Sequence, residues 1–110
     1  MKRFPTLIAA AAALIIPGHA AAYDAMADAK IVLIELTYMP QSILFQVDRQ
    51  IGSCAQGGFL RWTPHGSTQV AKDQNAQAVL AALMTAKVTG AAMRLFVVNA
   101  DCTVQYIYLL

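Results

Sequence analysis

The stretch Asp73–Gly90, DQNAQAVLAALMTAKVTG, is the one segment that reads clearly as a helix, and the rest of the chain must be fitted around it. Asp73 is suited to cap its start by accepting an unpartnered first-turn N–H. Gly90 is suited to close its end in the left-handed conformation, with Lys87 at the negative end of the dipole. At 100° per residue, Val79, Leu80, Leu83, Met84 and Val88 spread over roughly half the circumference and are expected to cover a sheet or a barrel mouth. The opposite arc, Ala78, Ala82, Thr85, Ala86 and Thr89, is made of small residues and is the candidate oligomer interface, since it would let another backbone approach closely.

Outward from that helix everything ordered reads as strand. On the N-terminal side, Tyr23–Ala29 is a short lead-in, either disordered or one helical turn. Lys30–Tyr38 is dense in β-branched residues and forms a strand with Val32, Ile34, Leu36 and Tyr38 on one face. A turn at Met39-Pro40-Gln41-Ser42 leads into Ile43–Asp48, with Ile43, Phe45 and Val47 inward, and the two strands make a hairpin. Gly52, Gly57 and Gly58 mark Arg49–Gly58 as a loop, Phe59–Trp62 is a short strand, and Thr63–Lys72 is irregular. Beyond the helix, Ala92–Val98 sets Met93, Leu95 and Val97 against Arg94, Phe96 and Val98. Cys102–Leu110 sets Val104, Tyr106 and Tyr108 against Thr103, Gln105 and Ile107.

The order is β-β-β-α-β-β, an α+β but mainly β chain. Five short strands with one helix between the third and fourth is the order of a small OB-like antiparallel barrel, or of an open sheet with the helix on one face.

The first 22 residues belong to a different class. Lys2 and Arg3, the apolar run Leu7–Ile16, the break at Pro17-Gly18 and the Ala20-Ala21-Ala22 site have the layout of a secretory signal peptide. The expected domain is therefore 23–110, secreted or periplasmic, with no membrane span once the signal is removed. Eight basic and six acidic residues in the whole chain become six of each in the mature one, so the basic pI of 8.7 belongs to the precursor. Near-zero charge weakens repulsion between copies and argues against a nucleic-acid partner.

Cys54 and Cys102 are the only cysteines, and export to an oxidising compartment makes one internal disulfide the expectation. Such a small domain benefits from the staple.

Materials for catalysis are sparse. His19 leaves with the signal, so His65, in a Pro/Gly loop, is the one mature histidine. No spacing of His, Cys or carboxylate suggests a metal, and no cofactor is implied. Gly57-Gly58 lacks the lysine and following helix of a phosphate loop. Among the scattered carboxylates Glu35 stands out, placed either to pair with Arg94 or Arg61 or simply to face solvent. The reading is a binding protein rather than an enzyme, with Tyr38, Arg61, Trp62 and His65 as ligand-binding candidates: aromatic faces stack on rings and arginine adds a forked donor.

The segments IELTYMP, GSCAQGG, FLRW, NAQAVLAALMTAKVTG, MRLFVV and DCTVQYIYL, with the pattern of Ala86, Thr89, Gly90 and Arg94, resemble the B subunits of AB5 toxins, particularly the subtilase-cytotoxin B type. The resemblance covers most of the mature chain and implies an OB-like fold, a ring of subunits and glycan binding. It carries over no glycan-site residue. The alternative is an envelope structural or inhibitory protein that holds another protein by a strand edge or helix face.

Overall fold

The computed structural model describes residues 22–110, so the signal segment expected over 1–22, His19 with it, lies outside the described residues apart from Ala22. Among the described residues, five strands, β1 (Ala25–Glu35), β2 (Ile43–Val47), β3 (Leu60–Trp62), β4 (Ala92–Val97) and β5 (Val104–Leu109), form one sheet, and a single helix, α1 (Gln69–Thr89), joins β3 to β4. The sheet order is β3-β2-β1-β4-β5, with every neighbouring pair antiparallel. It is an open sheet and not a closed barrel. Its two edges are bridged where Arg61 lies parallel to Thr103, the residue before β5, with the Arg61 N–H donating to the Cys102 carbonyl at 3.0 Å.

The long first strand makes this order possible. Its first half, Ala25–Lys30, pairs with β4, and its second half, Ile31–Glu35, pairs with β2. The segment Tyr23–Ala29 is therefore mostly strand, not the disordered lead-in or helical turn expected of it. Between Ile31 and Leu33 the register slips: Ile31 faces Val47 and Leu33 faces Gln46, so Val32 is a bulge. A one-residue slip sends later side chains to the opposite face. Ile31 is buried and Ile34 packs against the core, while Val32, Leu33 and Leu36 are exposed. The uninterrupted alternation expected over Lys30–Tyr38 does not hold, because the strand changes phase where it changes partner.

A second slip does the same in β5. Phe96 faces Tyr106 and Val97 faces Val104, leaving Gln105 as the extra residue. Val104 is consequently fully buried whereas Tyr106 and Tyr108 are exposed, although all three share one parity in the sequence. The strands without a slip keep to their pattern: Ile43, Phe45 and Val47 in β2 and Met93, Leu95 and Val97 in β4 are all in the core.

The helix starts earlier than Asp73. Thr68 has extended backbone and its hydroxyl accepts the Ala71 N–H at 3.1 Å, which satisfies a first-turn donor. Asp73 sits a turn inside, accepting from the Gln69 side chain at 2.8 Å. The end is as expected: Gly90 is left-handed at φ 72°, its N–H donates to Ala86, and Lys87 lies in the last turn. The buried face is also rotated from the expected one. Ala76, Leu83 and Ala86 are fully buried and Val79, Leu80 and Ala82 pack beside them, while Met84 is half exposed and Val88 almost wholly so. Alanine lets α1 lie close to β1, the strand it touches most.

Cys54 and Cys102 are bonded, with their Cα atoms 5.8 Å apart and a sequence separation of 48. Loop closure of that size is worth about 4 kcal/mol on the chain-entropy model. The two loops that carry the cysteines are also tied by side chains. The Ser53 N–H donates to Asn99 Oδ1 at 3.0 Å and the Ser53 hydroxyl to the Asn99 carbonyl at 3.1 Å. Gly52 permits this approach: its φ is +57°, and a Cβ there would strike Asn99 Oδ1 and lie 2.7 Å from the Ala25 Cβ.

Leu83 is the centre of the helix–sheet contact. Leu83→Asp places an unpaired carboxylate in the core at a cost of several kcal/mol, whereas Val88→Ser, on the exposed arc, stays within about 0.5 kcal/mol of the parent. Thermal melts monitored by circular dichroism distinguish the two, and equal melting of both variants would show the helix phase to be wrong.

Candidate functional site

Neighbouring residues of a strand point to opposite faces, and this divides the four ligand-binding candidates into two pairs. Leu60 and Trp62 of β3 face inward; Arg61 faces out. Opposite Arg61 on β2 is Leu44, which also faces out, so that side of the β2–β3 ladder presents a leucine and a guanidinium side by side. The turn that leads into β2 contributes the rest. Its Ser42 N–H donates to the Tyr38 carbonyl at 3.2 Å and its Met39 N–H to Leu36 at 3.3 Å, so Tyr38, Gln41 and Ser42 are held at the same end of the sheet. Tyr38, Gln41, Ser42, Leu44 and Arg61 together line a groove of about 460 Å3. Tyr38 is 55% exposed, so a face of its ring is open to a ligand.

A second hollow, about 160 Å3, shares Gln41 and is lined further by Pro40, Thr63, Pro64, Gln69 and Lys72. The two adjoin through Gln41. Along them lie an aromatic face, a hydroxyl at Ser42, amides at Gln41 and Gln69, and cationic donors at Arg61 and Lys72. Such a mixture of one apolar platform and several polar groups suits a polar ring-shaped ligand.

Trp62 does not belong to this groove. It is 6% exposed, inside the core, and its indole N–H donates to Asn75 Oδ1 at 2.9 Å. His65 lies flat on it, with ring centroids 4.7 Å apart and planes 6° from parallel. The same Asn75 oxygen accepts the His65 N–H at 3.0 Å. Thus Asn75 of α1 holds the end of β3 and the middle of the following loop together, and His65 lids the tryptophan. Trp62 is thus a core residue and His65, itself exposed, covers it; neither shares the face of Tyr38 and Arg61, because the alternation that turns Arg61 outward must turn Trp62 inward.

The small-residue arc is also divided. Ala86 is fully buried against the sheet and Ala82 half buried, so neither is a free interface residue. Ala78, Thr85 and Thr89 are exposed, and the two threonine hydroxyls donate back to the carbonyls of Ala81 and Thr85 at 2.8 and 2.7 Å.

All six carboxylates accept hydrogen bonds within the fold. Asp24 takes the Asn99 N–H, Asp48 the Lys30 N–H, Asp73 the Gln69 amide and Asp101 the Thr103 N–H. Glu35 accepts from the hydroxyl and N–H of Thr37, and this pairing holds its carboxyl below the ordinary range. It meets neither Arg94 nor Arg61. Arg94 instead binds Asp28, its cross-strand partner, with Nε and a terminal nitrogen at 2.7 and 3.1 Å from the two carboxylate oxygens. The hydrogen bond from Arg94, then its charge and that of Arg49, keep the Asp28 carboxyl below its ordinary range, against the opposing effect of burial.

The same outward face of β4 and β5 carries a feature that the alternating pattern did not disclose. Phe96 is the hub of an aromatic cluster: Tyr23, Tyr106 and Tyr108 meet its ring edge-to-face with centroids 4.9, 5.7 and 5.0 Å away. Tyr106 and Tyr108 remain 43% and 51% exposed. The spacing Phe96, Tyr106, Tyr108 gives no hint of the cluster without the bulge at Gln105, which brings these rings to one face.

No protein-family model, curated protein or solved structure matches this chain.

The Asp28–Arg94 pair yields a pH dependence. Because the folded Asp28 carboxyl titrates below its unfolded value, its contribution is complete above about pH 4 and is lost as pH falls through the folded value. Both side chains are about two-fifths exposed (40% and 42%), so the effect is small. Asp28→Asn lowers the urea midpoint at pH 7, and the gap to the parent narrows as pH drops below about 4. A gap that stays constant to about pH 2 would contradict the pairing.

Proposed function

We propose that this chain is an exported, non-catalytic binding module whose ligand is a carbohydrate, taken up in the groove between Tyr38 and Arg61 and displayed in more than one copy. The observation that carries the reading is the composition of that groove: an open tyrosine ring, a guanidinium, an amide and a hydroxyl around about 460 Å3. A sugar ring offers an apolar face to stack on an aromatic side chain, and hydroxyls around its rim for forked and amide donors. The groove falls within the size range of small-ligand sites. The resemblance of IELTYMP and the helix–strand segments to AB5-toxin B subunits points the same way, and the signal-like start of the chain supports export. Supporting a binding role over a catalytic one, every carboxylate is engaged in holding a turn, a strand or a side chain.

A glycan array probed with the purified mature protein, its Tyr38→Ala and Arg61→Ala variants and a His65→Ala control tests this reading. Parent binding to a defined glycan set falls at least tenfold in the first two variants and is kept in His65→Ala. Binding lost in His65→Ala but retained without Tyr38 would move the site elsewhere, and absence of binding by the parent would remove the carbohydrate reading.

A further inference from the structure

The two edges of the sheet are unequal. At one edge β3 has three residues, carries the exposed Arg61, and is followed closely by Pro64. Short length, charge and proline are the features that keep a sheet edge from pairing with another chain. At the other edge β5 reads Val104-Gln105-Tyr106-Ile107-Tyr108-Leu109, with no charge, proline or glycine. The start of the strand lies near β3, and the backbone bridge between the two edges falls just before it, at Cys102 and Thr103. Among the described residues, no backbone group outside β4 hydrogen-bonds to the strand from Val104 onward. A six-residue unguarded edge is a template for another strand.

We infer that β5 pairs antiparallel with β5 of a second copy, about a twofold axis through Ile107. Residues opposite each other across a pair of strands must share a face. A twofold axis normal to the sheet meets this condition when it passes through a residue, and centring it on Ile107 sets Tyr106 against Tyr108 of the other copy, twice. Both tyrosines are on the outer face beside Phe96, so the aromatic clusters of the two copies join across the seam. Gln105 then lies opposite Leu109, and the pairing stops short of Thr103, leaving the contact with Arg61 intact. No charge lies on the strand to oppose itself. The neutral strand, the self-matching tyrosines and the unguarded edge select a second copy over a strand of another protein, which has no reason to present this register. The contact is isologous, so it consumes the open edge in both copies and closes at two.

Two double variants make the register itself testable. Tyr106→Lys with Tyr108→Lys sets lysine against lysine at both crossings. Tyr106→Lys with Tyr108→Glu sets lysine against glutamate at both, while removing the same rings from the fold. Sedimentation equilibrium of the purified mature protein over a range of concentrations gives a dimer for the parent. The dissociation constant rises on the order of tenfold or more for the lysine–lysine chain, and the lysine–glutamate chain dimerises better than it. A parent that is monomeric at about 200 μM, or that grows into open polymers, overturns the inference, as do two variants that associate alike. If either variant fails to fold, hydrogen exchange of the parent decides instead: β5 amides become protected as concentration rises, and concentration-independent exchange overturns the pairing. Glycan affinity of a single groove, measured by calorimetry with a monovalent sugar, is unaffected by either outcome and reports separately on the site at Tyr38.

Discussion

A five-stranded sheet that does not close on itself has to hold its two ends together by other means, and here that is done by one clip. The disulfide between Cys54 and Cys102, the hydrogen bond from Arg61 to the Cys102 carbonyl and the Ser53–Asn99 pair all act within a few residues of one another. They fasten the loop between β2 and β3 to the turn between β4 and β5. Without the clip, β3 is three residues whose ladder is with β2 alone, tied further by the Trp62 side chain to Asn75. The groove at Arg61 is built on that strand, so its geometry depends on the clip.

The core strands were legible because their burial is one-sided and unbroken. Ile43, Phe45 and Val47, and again Met93, Leu95 and Val97, alternate in sequence and in space, and they place five strands and one helix in order. The disulfide was legible from the cysteine count together with the signal-like pattern of the first residues. The two bulges, at Val32 and Gln105, escaped, because a bulge is a property of a pair of strands and leaves no mark on either one. Each reverses the facing of the residues beyond it. The first changed the phase of β1 where it passes from β4 to β2; the second brought Tyr106 and Tyr108 out beside Phe96. The helix start was missed for a related reason. Asp73 and Thr68 are both able caps, and a helix takes the cap that its tertiary neighbours allow.

The site shows the same division. Tyr38 and Arg61 line one groove, while Trp62 and His65 form a separate stack anchored on Asn75. Strict alternation over Leu60-Arg61-Trp62 already forbids Arg61 and Trp62 from sharing a face, so that correction was latent in the strand assignment. Gln41, Ser42 and Leu44 were not legible as groove residues, since their placement depends on how the turn before β2 folds against it.

Native-state hydrogen exchange of the Arg61 amide, compared with those of β4 in the middle of the sheet, tests the dependence on the clip most directly. In the oxidised protein Arg61 is expected to exchange as slowly as Leu95, despite lying on a short edge strand. After reduction of the disulfide, Arg61 exchanges at least about tenfold faster than Leu95, because β3 then opens locally while the β1–β4–β5 ladder holds. Equal protection of the two amides in the reduced protein would show that the edges stay joined without the clip, and would contradict the account.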